Sequence, residues 1–372
     1  MRLILTADAV GGVWQYATTL ADRLADQFNA HIMLAVCGRP PSAGQLGEIN
    51  LGSRPKGGLV QIEQLNVPLE WEAAPYREYD SARRQLLDLS LRWRAHLVHA
   101  NEHYLGEIGA SGMPVVVVSH SDLCGWRSAV LGEDVPMVDQ AYMHRLRTGL
   151  ATASAVVAPS MLVAQGLSHW YAFSGVVRLI ANGVSPHPGP LPAVRPIDAI
   201  MVGRLWDKAK NLDCFASLAE GLPGHFCVAI GETIGPDGPV TTGSAKHVQF
   251  LGALARGDVR GHLARTRVFV SPAYYDPFGL AAVEAALAGC CLVLSDIPSY
   301  REVWGEAALY FDPHNPHAAH RHLEAVLGDD TLRTALADQA GTRARTLYSA
   351  ERMAEAYMGL YQRLAHRHGI AT

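Results

Sequence analysis

The sequence predicts an α/β fold built from two doubly wound domains, and three observations carry this prediction. The chain has 372 residues, which is more than one hydrophobic core usually supports. Short apolar runs alternate with longer amphipathic stretches, as expected for parallel strands that helices cover on both faces. A segment with five prolines at 182–197 interrupts this alternation once, and neither a helix nor a central strand tolerates such a run.

The first half of the chain supplies the elements of the first domain. Continuous Val, Ile and Leu runs predict buried strands at 2–7, 31–37, 59–65, 97–100, 114–120, 155–160 and 176–182. Amphipathic stretches predict helices at 14–28, 79–95, 137–152 and 161–172.

The same alternation resumes after the proline-rich segment. Strands are predicted at 199–203, 226–230, 248–252, 268–272, 291–295 and 308–311. Helices are predicted at 209–221, 257–266, 279–289, 298–304, 316–327 and 330–347, with a last helix at 350–367. The predicted division is an N-terminal domain at 1–182, a linker at 183–197, a C-terminal domain at 198–349 and a terminal segment at 350–372. Because doubly wound folds bind ligands at the carboxyl ends of their strands, we expect a ligand cleft between the two domains.

Composition and charge narrow the class of protein. The chain is 49% hydrophobic and 18% charged, as in ordinary soluble globular proteins. A net charge of −4 gives no general attraction to nucleic acid or to anionic membranes. The six cysteines form no C-x-x-C pair and mostly lie in apolar runs, which favours buried reduced thiols over disulfides or a zinc site.

The chain shows no sign of a targeting or membrane-spanning segment. The opening MRLILTADAVGG has an apolar run too short for a signal-peptide core and is typical of a buried first strand. No run approaches the roughly 20 apolar residues of a transmembrane helix. We therefore expect a cytoplasmic protein.

A pair of glycines, Gly11 and Gly12, lies between the first strand and the first helix. Paired glycines let the backbone approach a ligand closely and direct amides towards an anion at the helix N-terminus. The alternative is a tight strand–helix turn. The dinucleotide-binding pattern G-x-G-x-x-G is absent, and no acidic residue follows the second strand as a ribose ligand.

Two cations occupy the matching position in the second domain. Arg204 and Lys210, in VGRLWDKAKNLD, follow a predicted strand, with Arg204 at the strand end and Lys210 entering the helix predicted over 209–221. A guanidinium fork and a compact ammonium together can clamp a diphosphate. The alternative is two solvated surface cations, and Lys208 competes with Lys210 for the role.

The segment YYDPFGLAAVEAALAG places Asp276 in a loop and Glu284 inside a helix that Gly289 ends. Their separation argues against a carboxylate pair flanking one glycosidic bond and fits two acids contacting different parts of one extended ligand. The amides of Phe278, Gly279 and Leu280 would lie between them at the helix N-terminus; these three residues are in the same segment. The alternatives are a capping or turn role for the first acid and an exposed helix position for the second.

Two histidines end predicted strands of the first domain. His120 follows PVVVVS and His99 lies in LVHA, and the carboxyl end of a strand is well placed to reach a ligand. The alternative for each is a hydrogen-bonded structural histidine. The histidines at 314–322 are interpreted as solvated surface. Their spacing could bind a metal adventitiously, but no carboxylate or cysteine completes a convincing site.

These motifs, in this order, resemble glycosyltransferase family 4, the retaining, nucleotide-sugar-dependent enzymes of the GT-B fold. The resemblance covers nearly the whole chain. It includes the G-G loop, the strand-end His120, APS at 158–160, ANGV at 181–184, the GR and KN of 203–211, VQFLG, and SPAYYDPFGLAAVEAALAG with SDIPSYREVWGEAALYFDP after it. It implies a GT-B fold of two Rossmann-like domains facing across a cleft, with the final helix crossing back to the N-terminal domain.

The resemblance also implies roles for matching residues. Arg204 and Lys210 would hold the donor diphosphate, and Glu284 would bind the ribose hydroxyls. Asp276 takes the first position of the family's E-x7-E motif, which faces the donor sugar. His120 would contact the sugar near the reacting centre. Gly11 and Gly12 would bring the backbone of the N-terminal domain close to the phosphates. The amides of Phe278, Gly279 and Leu280 would support the sugar and the phosphate.

One residue departs from the family pattern. The first motif acid is usually Glu, whereas this chain has the shorter Asp276, which affects the pose of the sugar or the sugar preferred. The chain also lacks a D-x-D motif. We therefore expect no metal and no cofactor, with Arg and Lys neutralising the leaving diphosphate.

The expected partners are a UDP- or GDP-linked hexose donor and a carbohydrate, lipid-linked or small-molecule acceptor. In the family, loops of the N-terminal domain set the acceptor, here 38–58 and 121–136. The alternatives are a GT-B-like nucleotide-sugar epimerase and a non-catalytic nucleotide-sugar-binding subunit. The four arginines of 81–97 leave weak peripheral contact with the inner face of the membrane open, although they spread around the helix as on an ordinary surface helix.

Overall fold

The computed structural model describes residues 1–72, 74–134, 137–186, 189–236, 238–240 and 247–370. Residue contacts divide the chain into two compact units. The first unit comprises residues 1–128, 133–183 and 350–372, and the second comprises residues 129–132 and 184–349. The predicted linker lies outside the described residues at 187–188, the predicted loop 121–136 at 135–136, and the terminal segment at 371–372.

The elements up to residue 183 alternate as the sequence predicts. The strands are β1 (Arg2–Asp8), β2 (His31–Cys37), β3 (Gly52–Ser53), β4 (Leu59–Gln64), β5 (Leu97–Ala100), β6 (Val115–Val118), β7 (Ala155–Ala158) and β8 (Val177–Leu179). The helices are α1 (Gly12–Phe28), α2 (Ala43–Gly47), α3 (Tyr76–Trp93), α4 (Leu123–Leu131), α5 (Gln140–Thr152) and α6 (Met161–Tyr171), and His103–Ser111 forms a 3₁₀ helix.

The remaining elements belong to the second unit except for the last helix. The strands are β9 (Ile197–Val202), β10 (Cys227–Ile230), β11 (Ile234–Gly235), β12 (Gly238–Pro239), β13 (Val248–Phe250), β14 (Thr266–Ser271), β15 (Cys291–Ser295) and β16 (Leu309–Phe311). The helices are α7 (Leu212–Glu220), α8 (Arg256–Ala264), α9 (Leu280–Leu287), α10 (Pro298–Trp304), α11 (His317–Gly328), α12 (Asp330–Leu347) and α13 (Ala350–Arg367).

Each unit contains a sheet whose strand order reverses beside its first strand. Among the described residues, the first sheet has the order β3-β4-β2-β1-β5-β6-β7-β8, in which only the β3–β4 pair is antiparallel. The second sheet, over the same described part of the chain, has the order β13-β10-β9-β14-β15-β16 and is parallel throughout. The reversals fall between β1 and β5 and between β9 and β14. Ligands of open α/β sheets bind in the crevice at such a reversal.

Two apolar layers cover the two faces of the first sheet. One layer joins inward-facing residues of β1 and β2 to Trp14 and Tyr16 of α1 and to Met353, Tyr357 and Tyr361 of α13. The other layer joins the opposite face to α3, α5 and the 3₁₀ helix. Helix α13 was predicted at 350–367 and lies at Ala350–Arg367, where it completes the core of the first unit.

Two segments predicted as loops contain regular structure. Segment 38–58 holds α2, which a capping box between Ser42 and Gln45 starts, and the short strand β3. Segment 121–136 holds α4, whose N-terminal side is fixed by Asp122 Oδ1 accepting from the Gly125 amide at 2.7 Å. The loop prediction was therefore wrong for the middle of both segments.

Close backbone packing between α5 and the 3₁₀ helix fixes the segment that follows β5. A Cβ atom on Gly149 would lie 1.8 Å from the His103 carbonyl oxygen, and one on Gly106 would lie 2.3 Å from the Gly149 carbonyl oxygen. Glycine is required at both positions because any side chain would force the two backbones apart.

We expect Gly149→Ala to lower the free energy of unfolding by about 2 kcal/mol or more, since its methyl group would overlap a backbone carbonyl rather than a flexible side chain. Urea-induced unfolding measures the change. Gly47→Ala in α2 is the control, because no atom lies within 4 Å of its added Cβ, and we expect a change within about 1 kcal/mol. Equal effects of the two substitutions would contradict the packing argument.

Candidate active site

Arg204 lies just beyond β9, at the reversal point of the second sheet. Its Nη2 donates to Asp207 Oδ2 at 2.9 Å, and its guanidinium carbon lies 5.4 Å from the centre of the Trp206 ring. The side chain is 42% exposed. Asp207 and Trp206 therefore hold the Arg204 guanidinium in place, while part of it stays accessible to solvent.

Lys210 lies in a 3₁₀ turn, and the prediction that it enters a helix over 209–221 was wrong. The turn spans Lys208–Lys210, and Asp207 Oδ1 caps it by accepting from the Ala209 amide at 2.9 Å. Asn211 then adopts a left-handed backbone with φ 56°, and α7 begins only at Leu212. Asparagine tolerates this conformation, and Asn211 Nδ2 donates to the Pro272 carbonyl at 3.0 Å, which ties the turn to the segment after β14.

An ion pair joins Lys210 to Asp276. Lys210 Nζ lies 2.9 Å from Asp276 Oδ2, and both side chains are more than four-fifths buried. The competing Lys208 is exposed. The fold therefore brings together a lysine that follows β9 and an acid that follows β14, because these two strands are neighbours in the sheet.

Four further hydrogen bonds hold Asp276. Its Oδ1 accepts from the amides of Phe278 at 3.3 Å and Gly279 at 2.7 Å. Its Oδ2 accepts from the Tyr300 hydroxyl at 3.1 Å. The Asp276 carbonyl accepts from Ser299 Oγ at 2.5 Å. Burial alone would raise the pKa of the Asp276 carboxyl, but the Lys210 ammonium and these donors outweigh burial and lower that pKa.

The loop amides that precede α9 bind Asp276 in this structure. Phe278 and Gly279 direct their N–H groups at its carboxylate, and Gly279 has φ 81° before the helix begins at Leu280. A side chain on Gly279 would also meet Tyr300, whose ring carbon lies 2.7 Å from the position of a Cβ. The role of the Phe278, Gly279 and Leu280 amides towards a donor stays a prediction.

Glu284 is buried, so the alternative of an exposed helix position is wrong. It is 7% exposed and lies in α9 beside two arginines of α8. Its Oε1 is 3.3 Å from Arg256 Nε and 3.5 Å from Arg260 Nε. The two arginines are four residues apart and share one helix face, which keeps a carboxylate in a largely buried place.

In the first unit, the paired glycines begin α1. Gly11 is the N-cap with φ 81° and Gly12 is the first residue of the helix, and both are exposed. Asp8 Oδ1 accepts from the Val10 amide at 2.7 Å and so turns the chain after β1. The loop exposes the amino end of a 17-residue helix, a place that favours anions.

His120 and His99 belong to one buried polar network. His120 Nε2 lies 2.9 Å from Asn101 Oδ1, and the His120 ring stacks edge-on against Tyr16 at 4.4 Å between centres. His99 is fully buried; its Nδ1 lies 2.6 Å from the Tyr361 hydroxyl and its Nε2 lies 3.2 Å from Asn101 Oδ1. His99 is thus a structural histidine, whereas His120 remains partly accessible.

A second chain of buried polar groups lies beside that network. Glu70 Oε2 lies 2.7 Å from His103 Nδ1, and His103 Nε2 lies 2.8 Å from Ser119 Oγ. The three side chains are all at least nine-tenths buried. Burial alone would lower the pKa of His103, but the Glu70 carboxylate raises it above the usual range. Burial, with the charges of Glu70 and Asp8, raises the pKa of Glu102 well above its usual range.

Sequence reasoning missed several residues of these clusters. Asn101, Thr6, Tyr300, Arg256 and Arg260 all touch predicted site residues or their neighbours. The one local signal available was Asn101, which follows a buried strand at the sheet edge where ligands bind. The rest depend on strand order and helix packing.

Two arginines of α3 are neutralised by acids. Arg83 pairs with Asp80 and Glu107, and Arg92 Nη2 lies 2.9 Å from Glu63 Oε1. These pairs favour the surface-helix interpretation. Over the described ranges, no helix is long and apolar enough to cross a membrane, and no three His, Cys, Asp or Glu side chains come together as metal ligands. All six cysteines are buried and unpaired, as predicted.

Comparison with known proteins agrees with this architecture. Residues 10–187 match the model of "Glycosyltransferase Family 4", and residues 194–343 match that of "Glycosyl transferases group 1". The chain is 26% identical to the glycogen synthase of Mycobacterium tuberculosis over 95% of this chain and 91% of that protein.

Solved structures share the fold. Sucrose-phosphate synthase from Thermosynechococcus elongatus matches with a TM-score of 0.78 and 19% identity, over 99% of this chain and all of that one. The Anabaena protein HepE in complex with UDP-glucose matches with a TM-score of 0.71 and 17% identity, over 98% of this chain and all of that one.

The predicted GT-B fold is therefore confirmed: two Rossmann-like domains, with basic and acidic residues at the strand-order reversal of the second. The two family models together span most of the chain. The chain belongs to the family-4 type of glycosyltransferases.

The Lys210–Asp276 pair should be strongly coupled, because removing one partner leaves a largely buried charge without its counter-ion. In a double-mutant cycle with Lys210→Met and Asp276→Asn, we expect a coupling free energy of about 1–3 kcal/mol. The exposed Arg301–Asp296 pair, with both side chains nearly half exposed, is the control and should give less than about 1 kcal/mol. Equal coupling in both cycles, measured by urea unfolding, would contradict the argument.

His99 and His120 should each make the folded protein less stable as the pH is lowered below about 6.5. Burial lowers the pKa of His99 to about 3, and burial with the nearby His99 and His103 charges lowers the pKa of His120 to about 3. Between these values and 6.5 the unfolded chain binds protons that the folded chain does not, so each histidine contributes a slope of about 1.4 kcal/mol per pH unit.

We expect His99→Gln and His120→Gln each to flatten the dependence of the unfolding free energy on pH between about 6 and 4. His368→Gln, at an exposed position, is the control for the loss of an imidazole. Unchanged slopes in both buried variants would show that these imidazoles protonate in the folded protein. The raised pKa of His103 acts in the opposite direction and above pH 6.5, outside this window.

Proposed function

We propose that the protein is a retaining hexosyltransferase that moves a hexosyl unit from a UDP- or GDP-sugar to a carbohydrate, lipid-linked or small-molecule acceptor without a metal. The observation that carries the proposal is the cluster at the reversal of the second sheet. There Arg204 and the Lys210–Asp276 pair lie at the ends of adjacent strands, and Glu284 lies in the helix that follows.

The two cations suit a diphosphate. Arg204 offers a planar fork that is 42% exposed, and Lys210 offers a compact ammonium on a short, tied-down turn. Cleavage of the sugar–phosphate bond builds negative charge on the leaving diphosphate, and pre-positioned cations stabilise that charge without rearranging during the reaction. A diphosphate also competes with Asp207 and Asp276 for these cations, since each is already paired with an acid.

The two acids suit hydroxyl groups. Asp276 is held ionised by Lys210 and by the donors around it, so it accepts hydrogen bonds from the hydroxyls of the transferred sugar. Glu284 takes the ribose hydroxyls, with Arg256 and Arg260 keeping its carboxylate in place. Hydrogen bonds to a charged acceptor are the stronger kind.

The first unit contributes residues of a different chemistry. The exposed Gly11 and Gly12 at the amino end of α1 suit a phosphate, and His120 contacts the transferred sugar. In the family the first unit sets the acceptor, so α2, α4 and the segments around them carry acceptor specificity. Peripheral contact of α3 with a membrane stays a prediction.

The relatives support this donor class. One similar structure holds UDP-glucose, and the similar glycogen synthase and sucrose-phosphate synthase are named for the carbohydrates that they synthesise. None of these relatives specifies which sugar this protein transfers, and the first motif acid of this chain is the shorter Asp276.

A panel of UDP- and GDP-sugars tests the proposal. Binding at 100 times the dissociation constant should add roughly 2.7 kcal/mol of stability, which a thermal-shift assay detects. Nucleoside diphosphate release with acceptor present then measures transfer, and NMR of the product gives the anomeric configuration. Activity that survives EDTA supports metal independence. Donor conversion without acceptor would indicate an epimerase, and donor binding without turnover a non-catalytic subunit.

Glu284→Gln should raise the KM for the nucleotide-sugar at least tenfold, because it weakens hydrogen bonds to a charged acceptor that contribute about 1.5–3 kcal/mol. Lys210→Ala should lower kcat more than it changes KM, since the charge it meets grows in the transition state. Glu306→Gln, at an exposed position, is the control. Full activity in both site variants would refute the assignment.

A further inference from the structure

Asn101 links the carboxyl ends of three neighbouring strands in the first unit. It follows β5, and its backbone amide donates to Thr6 Oγ1 of β1 at 2.8 Å. Its side-chain Nδ2 donates to the Thr6 carbonyl oxygen at 2.5 Å. Its Oδ1 lies 2.9 Å from Nε2 of His120, just beyond β6. Asn101 is 8% exposed and Thr6 is fully buried.

Thr6 fixes which way the Asn101 amide points. A backbone carbonyl oxygen only accepts hydrogen bonds, so the amide NH₂ must face it and Oδ1 must face the histidine. The reversed amide would set two acceptors 2.5 Å apart inside the core, and an unpaired buried polar group costs about 1–3 kcal/mol. The orientation of the Asn101 side-chain amide is therefore determined by the Thr6 carbonyl on the neighbouring strand β1.

An acceptor facing His120 Nε2 requires a donor there. His120 is neutral at physiological pH, because burial and the neighbouring histidines lower its pKa to about 3. A neutral imidazole carries one proton, and the nitrogen opposite Oδ1 must hold it. Nδ1 then carries the lone pair.

His99 is compatible with the same arrangement. Its Nε2 also lies 3.2 Å from Asn101 Oδ1, and the Tyr361 hydroxyl lies 2.6 Å from its Nδ1. A hydroxyl that donates to Nδ1 leaves the proton of His99 on Nε2. That Nε2–H group of His99 can donate to the second lone pair of Asn101 Oδ1 or to the Tyr16 hydroxyl oxygen, which also lies 3.2 Å from it.

We propose that Asn101 is a positioning residue that holds His120 in the Nε2–H tautomer, so that His120 Nδ1 accepts a hydrogen bond from a hydroxyl of the transferred sugar. The second half of this proposal rests on the proposed function, whereas the tautomer does not. The ring orientation is also fixed, because His120 packs edge-on against Tyr16 at 4.4 Å.

The tautomer is measured directly by long-range ¹H–¹⁵N NMR of the full chain labelled with ¹⁵N-histidine, with His120 assigned by its loss in His120→Gln. The expected result at pH 7.5 is the neutral Nε2–H pattern for His120. A neutral Nδ1–H pattern, or a protonated ring, would overturn the proposal whatever the variants do.

Asn101→Leu removes the acceptor while keeping a side chain of similar size, and we expect it to convert His120 to a mixture of tautomers. Asn182→Leu is the matched control, because Asn182 is a buried asparagine of the same unit and should leave the His120 signals unchanged. A pure Nε2–H pattern in Asn101→Leu, or equal changes in both variants, would overturn the role of Asn101. If Asn101→Leu does not fold, the wild-type pattern still decides the tautomer.

Kinetics separate this proposal from the proposed function. With an active donor, Asn101→Leu should lower kcat about tenfold, the factor that one hydrogen bond contributes, while the KM for the nucleotide-sugar changes less than twofold. An unchanged kcat would overturn the contact with the sugar. The Nε2–H pattern together with no turnover of any donor would instead refute the proposed function and leave the positioning role of Asn101 standing.

Discussion

In each sheet the chain adds strands on one side of its first strand and then returns to the other side, and this reversal is the constraint on which both residue clusters depend. Loops after neighbouring strands diverge at the reversal and leave a crevice at the carboxyl edge. In the first unit that edge receives the segments after β1, β5 and β6, and in the second those after β9 and β14. Residues distant in sequence, such as Lys210 and Asp276, meet only because β9 and β14 are neighbours.

The carboxyl edges of the two sheets differ in how their buried polar side chains are stabilised. The second unit keeps full charges and pairs them, as in Lys210–Asp276 and Glu284 with Arg256 and Arg260. In the first unit the buried titratable groups are mostly neutral, because burial lowers the pKa of His99 and His120 and raises that of Glu102. Paired cations suit a diphosphate leaving group, and the neutral imidazoles add uncharged donors and acceptors for hydroxyl groups.

Local patterns were sufficient to predict most of the strands and helices. Continuous apolar runs located the strands to within a few residues, and amphipathic spacing located α13 at its observed bounds. The helix predicted over 209–221 begins only at Leu212, because Asp207 caps a separate 3₁₀ turn that ends at Asn211, and Asn211 also bonds a distant loop. Asn101 was not predicted because its role depends on Thr6, a residue that pairing of β1 with β5 brings beside it. Arg256 and Arg260 needed the packing of α8 on α9, which no local spacing reveals.

The position of α13 has a consequence for synthesis of the chain on the ribosome. Tyr357 and Tyr361 of this helix fill the core of the first unit, and Tyr361 supplies the hydrogen bond to His99. All of residues 184–349 are translated between β8 and this helix, which takes on the order of 10–30 s at 5–20 residues per second. During that interval the nascent first unit displays an uncovered apolar face over α1 and β1, a surface that chaperones recognise, and its last layer is added only after residues 184–349 have been synthesised.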